Sequence, residues 1–444
     1  MAYNFTTINK RYGKGSFKWQ EMARYGVRPE EDIIPFSVAD MELETAPEIK
    51  EALKKEIDDF VLGYANPTAS YREACCAWQE KRHHWAAKPE WICPSHGVVD
   101  AFFTAVKAYT QPGDGVMLLT PVYYPMYHAV LDTGRQLVDC PLVEQGDSYG
   151  IDFADFEQKA KAYRTKMLIL CSPHNPTGRV WTREELQKIS EICLANGVLV
   201  VSDEIHDDLI MPGYEHTVYA SLSQEAEQNC LVLTAPSKTF NLAGLQTSNI
   251  FIPNASLRAQ YMAYLKEINP NPKCNLLGYL ACETAYRHCE DWLDQCLQVI
   301  DANRKLVVGS MAQKFPQIKV KRLEGTYLLW MDWRGLGLDH KELERINRQE
   351  ARLFFDEGYI FGKQGEGFER WNLACPTRYI QEALERIGKD IWEICKITEK
   401  TRGAVRFVQH PLFFILLSIF SKPFPVLLLP GQWAQVPYIR PENG

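Results

Sequence analysis

Three short stretches carry side chains whose types and order suit one chemistry: Ser172-Pro-His-Asn-Pro-Thr-Gly178, Ser202-Asp-Glu-Ile-His206 and Ala235-Pro-Ser-Lys-Thr-Phe-Asn241. Each alone is ordinary. An Asn-Pro-Thr-Gly run is the composition of a turn, because proline fixes φ and glycine accepts positive φ. A lone Asp-Glu is commonly solvated, and a lone lysine after a strand commonly lies on the surface. In this order, however, they offer an amine that can bond an aldehyde carbon, a carboxylate that can hold a proton on a ring nitrogen, and an amide that can hold a ring oxygen. A pyridoxal cofactor requires that set. Lys238, Asp203 and Asn175 fill the three roles, and Tyr123 in Thr120-Pro-Val-Tyr-Tyr-Pro125 supplies an aromatic face to cover the ring. The phosphate needs a helix N-terminus, and Ser95-His-Gly-Val-Val99 opens an apolar helical run through Phe102, Phe103 and Val106. The free N–H groups at Gly97 and Val98 then face the anion, and Asp100 in the first turn suits the helix dipole.

Those residues need a scaffold, and residues 90–290 alternate short apolar runs with helical stretches, as a doubly wound, mostly parallel α/β sheet does. Val116–Thr120, Met167–Cys171, Val198–Asp203, Leu231–Thr234 and Asn249–Ile252 read as buried strands. Thr182 with Glu185 forms a capping-box signature, and Leu186, Ile189, Ile192 and Cys193 follow at helical spacing until Asn196-Gly197 ends the helix. In such sheets chemistry gathers at the carboxyl ends of the strands. Beyond residue 290, amphipathic helices surround a strand-like Tyr327–Asp332, which predicts a smaller α+β domain. The expected division is an N-terminal segment 1–45 belonging to the small domain, a large cofactor-binding domain 46–290, a small domain 291–398 and an atypical tail 399–444.

Composition narrows the function classes. The chain has 444 residues, 46% of them hydrophobic and 24% charged, which suits two globular domains rather than disorder. A net charge of −7 with no long Lys/Arg run argues against nucleic acid as a partner. The first ten residues carry no secretory or import pattern, which points to the cytoplasm. Thirteen scattered cysteines without a CxxC pair fit reduced buried thiols, with no metal site and no disulfide framework expected. In the tail, Leu412–Phe420 is apolar except for Ser418, and Lys422, Pro423 and Pro425 follow. A span needs about 18 or more apolar residues, so no membrane crossing is expected. Packing on the body, binding a membrane surface and a non-native C-terminus all remain open for it.

The motifs resemble the class I/II aminotransferase superfamily of pyridoxal-phosphate enzymes of fold type I. Val38-Ala-Asp-Met-Glu42, Thr120-Pro-Val-Tyr-Tyr124, the 173–180 stretch, Asp203-Glu-Ile-His206 and Pro236-Ser-Lys-Thr-Phe-Asn-Leu-Ala-Gly-Leu245 are similar specifically to the MalY/PatB branch, the cystathionine β-lyases. The resemblance spans about residues 1–395. It implies that Lys238 is the Schiff-base residue, that Ser237 lies by the phosphate, and that His206 and Ala39 border the cofactor and the substrate. It implies that Tyr64, in Gly63-Tyr-Ala-Asn-Pro67, reaches the phosphate of a neighbouring subunit in a homodimer, and that Arg370, in Arg370-Trp-Asn-Leu-Ala-Cys-Pro376, binds the substrate α-carboxylate. A bidentate guanidinium suits that last role. The implied reaction is α,β-elimination of L-cystathionine or a related cysteine S-conjugate to thiol, pyruvate and ammonia. An aminotransferase of aromatic or sulfur amino acids, or a regulatory protein that keeps the cofactor, are the alternatives. Two departures stand out. Gln246 occupies the position, eight residues after Lys238, where many aminotransferases carry a phosphate-binding arginine, and Ser37 replaces the branch's usual tryptophan.

Overall fold

The computed structural model describes residues 2–391 apart from 29–31, 60 and 163, so the expectations for the apolar tail lie outside the described residues. Seven strands form the main sheet: β1 (Ile92–Ser95), β2 (Gly115–Thr120), β3 (Gln136–Pro141), β4 (Thr165–Cys171), β5 (Leu199–Asp203), β6 (Cys230–Thr234) and β7 (Ser248–Phe251). Their order across the sheet is β1-β7-β6-β5-β4-β2-β3. From β6 to β3 the neighbours pair in parallel. β7 is antiparallel to both β6 and β1. The sheet is therefore mixed at one side, a feature the apolar pattern of Asn249–Ile252 does not reveal, because a buried strand reads the same in either direction.

The central strands form because their residues are largely apolar on both faces, and every residue of β2, β5 and β6 is buried, whereas the edge strand β3 is partly exposed. Helices cover the sheet. On the helix Val98–Tyr109, Ala101, Phe102, Ala105 and Val106 are wholly buried at helical spacing and pack in the core with Val116, Leu118, Ile169 and Val201. The helix Arg183–Ala195 starts at the capping box read from the sequence, with Thr182 accepting from the Glu185 N–H and Glu185 accepting from the Thr182 N–H, and its C-cap is Asn196.

The chain then builds a four-stranded sheet from β8 (Lys319–Val320), β9 (Leu328–Asp332), β10 (Asp356–Glu357) and β11 (Phe368–Asn372), ordered β8-β9-β11-β10. Alternation along β11 sends neighbouring side chains to opposite faces. Trp371 stacks between Phe36 and Phe355, with ring centroids 5.1 and 4.7 Å away, whereas Arg370 turns its guanidinium to Asn175, just beyond β4 of the large sheet. The N-terminal segment joins this second sheet region, since Ile34–Pro35 pairs in parallel with Leu353–Phe354.

Between the two sheets runs Val38–Glu42, fixed from both sides. Asn372 Nδ2 donates to the carbonyls of Val38 and Asp40 at 2.8 and 2.6 Å, and Asp356 accepts from the Val38 N–H at 2.9 Å. On the other side, Asn241 bonds both backbone groups of Met41 at 2.8 and 3.0 Å. Val38 is held at a φ of 53°, a left-handed conformation that is sterically costly for a β-branched residue and persists only where its surroundings over-determine it. Those surroundings include a buried charge cluster. Lys18 sits 2.8 Å from Asp40 and 3.1 Å from Glu42, and Arg11 pairs with both acids. Burial disfavours charge on Lys18 and on Asp40, yet the opposite charges prevail: the Lys18 pKa is raised and that of Asp40 is lowered to about 2.

Removing the buried cation leaves Asp40 and Glu42 with Arg11 as their remaining charge partner. Lys18→Met is expected to destabilise the protein by about 3–5 kcal/mol, the usual cost of breaking a buried pair from one side, read as a lower denaturant midpoint.

Candidate active site

All the motif ends converge on one rim. β1, β2, β4, β5 and β6 run in the same sense, so their carboxyl ends deliver Gly97, Tyr123, Asn175, Asp203 and Lys238 to the same edge. They line a cavity of about 160 Å³, to which Ala39, Val98, His206 and Ser237 also contribute. The antiparallel β7 reaches this edge with its beginning, so Gln246, Thr247 and Ser248 complete the wall. Thr247 and Ser248 were invisible to the motif reading because only the strand's reversed direction brings them there.

Lys238 lies on the one-turn helix Pro236–Thr239. Its Nζ is buried and donates to the Ala39 carbonyl at 2.7 Å. Burial lowers its pKa to about 8; Arg370 and Lys18 push the same way, and Asp40 and Asp203 offset part of the effect. A large fraction of this amine is therefore unprotonated at mildly alkaline pH, as a base or nucleophile must be.

Asp203 ends β5 fully buried, and the Ile205 N–H at 3.2 Å is its recorded hydrogen-bond donor. Desolvation raises its pKa to about 7, moderated by that N–H and by the Lys238 charge. A carboxylate so poorly compensated by the protein favours a cationic partner arriving in the cavity. Neighbouring Glu204, far from being solvated, is buried and accepts from His216 Nε2, the Tyr219 N–H and Ser202 Oγ. It anchors the loop after β5.

Asn175 is buried, and its Oδ1 accepts from Arg370 Nη1 at 2.8 Å, which leaves the amide NH₂ as its outward donor. Arg370 also pairs with Asp356 through Nη2 and lies over the Phe361 ring at 4.6 Å, while its Nε is buried without a partner among the described residues. Asp356 had no signal in the sequence, because it reaches Arg370 only across the β10–β11 pairing. His206 Nδ1 is likewise buried and unpartnered among the described residues, and burial, with the charges of Lys238 and Arg370, holds this imidazole neutral.

At the phosphate end, Gly97 is the N-cap of the helix Val98–Tyr109 and no side chain caps it. The first-turn N–H groups thus face the cavity end without an intrahelical acceptor. Gln246 adopts a left-handed φ of 47° beside them. Tyr64 stands apart from the cavity of its own chain and is fully exposed.

An aldehyde-bearing, anionic pyridine cofactor fits this donor set: an amine for the aldehyde, a desolvated carboxylate for the ring nitrogen, an amide NH₂ for a ring oxygen and a bare helix terminus for the phosphate. Fold and cavity together define a fold type I enzyme of the pyridoxal-phosphate class. The chain belongs to the aminotransferase class I and II family, whose model matches residues 31–387. Within it, the chain is 40% identical over 385 residues to the cystathionine beta-lyase PatB of Bacillus subtilis, covering 86% of this chain and 98% of that protein. It is 29% identical to the protein MalY of Escherichia coli, covering 86% and 97%. The crystal structure of cystalysin from Treponema denticola, which contains a pyridoxal 5'-phosphate cofactor, matches with a TM-score of 0.86 at 45% identity over 89% of this chain and 100% of that one. The resemblance drawn from the motifs is borne out at the level of family and branch.

Asp203 carries a stability signature. Its folded pKa near 7 exceeds the unfolded value, so its contribution to stability is present in full at low pH and is lost as pH rises through 7. In cofactor-free protein, Asp203→Asn is therefore expected to raise the melting temperature at pH 8, and the gain shrinks as pH falls toward 4. Turnover of the same variant is expected to fall sharply. Calorimetry across that pH range checks the first outcome.

Proposed function

We propose that the protein is a pyridoxal-phosphate-dependent carbon–sulfur lyase acting on L-cystathionine or related cysteine S-conjugates. With one water consumed, the products are a thiol, pyruvate and ammonia. The observation that carries this reading is the buried Lys238 amine, with a pKa near 8, sharing one cavity with Asp203 and with the Asn175 side chain that Arg370 grips.

When bound, pyridoxal phosphate supplies a carbonyl carbon for the substrate amine and a protonated ring that accepts the electron pair left at Cα. Asp203 keeps that ring nitrogen protonated. Asn175 donates its NH₂ to the ring oxygen while its carbonyl stays on Arg370. Tyr123 and His206 line the same cavity, where Tyr123 would cover the ring and His206, held neutral, would border it without adding a second charge. The first-turn N–H groups at Gly97 and Val98, with Ser237, hold the phosphate; Gln246 offers an uncharged amide where other members of the family have a guanidinium. Arg370 takes the substrate α-carboxylate, with its unpartnered Nε available to a new acceptor. Ala39 borders the substrate amine. Lys238 Nζ removes the Cα proton, and the β-sulfur leaves with the electron pair of its bond to Cβ as a thiolate.

The same reading makes the enzyme a cytoplasmic homodimer in which the exposed Tyr64 completes the partner's phosphate site. The full exposure of so large an aromatic side chain supports it, as do twelve described cysteines free of disulfides. It also divides the chain into a large lobe, 46–290, and a small lobe formed by 1–45 with the stretch from 291 on, whose part beyond 391 lies outside the described residues; the pairing of Ile34–Pro35 with Leu353–Phe354 supports this.

Incubating the purified holoenzyme with L-cystathionine is expected to release pyruvate, with Lys238→Ala below about 1% of the wild-type rate. A keto acid that retains sulfur would instead indicate transamination, and no product from any thioether amino acid would indicate a binding role. For the shared site, mixing Tyr64→Phe with Lys238→Ala is expected to restore activity, because one site of each heterodimer then carries neither lesion. Mixed dimers as inactive as their parents would exclude the arrangement.

A further inference from the structure

Behind the turn that carries Lys238 lies a buried polar cluster that no step above uses. Asp208 accepts from Trp78 Nε1 at 3.1 Å to each oxygen, from Thr239 Oγ1 at 2.9 Å and from His83 Nε2 at 3.1 Å. Asp207 accepts from Gln79 Nε2 at 3.2 Å and lies 3.4 Å from His83 Nε2. Side chains of His83, Asp207 and Asp208 are each at most 4% exposed. One histidine and two carboxylates with ligand atoms within 4.8 Å of one another have the composition of a metal site. Their bonding says otherwise. Both Asp208 oxygens already accept from N–H or O–H donors, and burial, which alone would neutralise His83, is outweighed by Asp207 and Asp208, so its pKa is raised to about 9. An imidazolium has no lone pair to offer a cation.

Where the cluster points matters more. The helix Pro236–Thr239 is one turn long with no side-chain N-cap, and a single helical turn does not hold itself together in isolation. Two side-chain tethers follow Lys238 directly in the chain: Asn241, just past the turn, on the Met41 backbone, and Thr239 on Asp208. The second tether belongs to the loop that begins at Asp203. That loop is braced by the Asp207 N–H on the Glu204 carbonyl at 3.0 Å and the Leu209 N–H on the His206 carbonyl at 3.0 Å. We propose that Asp208 is a positioning residue for Lys238, gripping Thr239 so that the amine and the Asp203 carboxylate are held at a fixed separation, with His83 as the counter-ion that keeps the grip anionic. The helix Ala69–His83 supplies His83, Trp78, Gln79 and nearby Arg82; Glu204 with His216, whose ring lies 5.5 Å edge-on to His83, closes one side, and Tyr286, stacked on Trp78 at 5.1 Å, closes another. This assignment rests on Lys238 being the cofactor-bonding lysine.

The decisive variant is Thr239→Val, which removes the hydroxyl at nearly constant shape. Two readouts are needed. In cofactor-free protein, the pH dependence of Lys238 labelling by an amine reagent, read by mass spectrometry, is expected to move its midpoint upward from near 8 by at least about half a unit as the loosened turn admits water. In holoenzyme, kcat is expected to fall about tenfold with KM within about twofold. Thr239→Ser, which restores the hydroxyl, is expected to recover most of both. Trp78→Phe removes a different donor from Asp208 and serves as the stability control: it is expected to lower the melting temperature while leaving the labelling midpoint in place. If Thr239→Val leaves midpoint and kcat unchanged, or if Trp78→Phe shifts them equally, Asp208 is structural only and the proposal is overturned. Should Lys238→Ala itself retain turnover, the lyase reading fails instead, so the two failures are distinct.

Discussion

Everything near the cavity follows from the burial of one amine. Lys238 Nζ donates to a backbone carbonyl, not to a carboxylate, so among the described residues no direct ion pair neutralises it. A carboxylate in contact would hold the amine protonated and make it useless as a base. The nearby Asp40 is instead committed to Lys18 and Arg11, which keeps its charge within the N-terminal cluster. Asp203 is near enough to be felt but stays under-solvated itself. The two groups are thus each destabilised by burial, and a bound cofactor that takes the amine covalently and offers a ring cation to the acid relieves both at once.

That arrangement is costly in backbone terms as well. Val38, Asn241 and Gln246 all adopt positive φ, at 53°, 57° and 47°; Gln246 lines the cavity, Val38 precedes the Ala39 that accepts from Lys238, and Asn241 follows three residues after the lysine. No glycine relieves them. Val38 and Asn241 are retained by paired hydrogen bonds from Asn241 and Asn372 to the 38–41 backbone and by the charge cluster behind Asp40. Strained backbone and desolvated charge thus occur beside the candidate site, while every residue of the strands β2, β5 and β6 behind it is buried.

The legible part of the molecule was the part encoded locally. Five strand positions were readable to within one or two residues, as with Val116–Thr120 against the observed Gly115–Thr120, because buried strands of either direction are short apolar runs closed by turn residues. The capping box at Thr182 and the helix opening after Gly97 are also set by neighbours in sequence. What escaped depends on tertiary direction or distance. The reversal of β7 brings Thr247 and Ser248 to the rim, and the β10–β11 pairing brings Asp356 to Arg370, so the arginine expected simply to await a carboxylate already has one. The pairing of Lys18 in the first helix with Asp40 and Glu42 joins charges that sequence alone gives no reason to match. Tyr64 faces solvent in the single chain, away from the cavity, which its local sequence does not disclose.

The Ala39 carbonyl receives Lys238 Nζ at 2.7 Å and Tyr327 Oη at 3.0 Å. A carbonyl oxygen has two lone pairs, and here both are engaged. Any ammonium group entering the cavity finds this acceptor saturated until one of its two present donors withdraws. The oxygen therefore works as a single-vacancy exchange point: occupancy by the lysine and occupancy by another amine exclude each other, so release of one must precede capture of the other, and Tyr327 keeps that seat oriented whichever amine holds it.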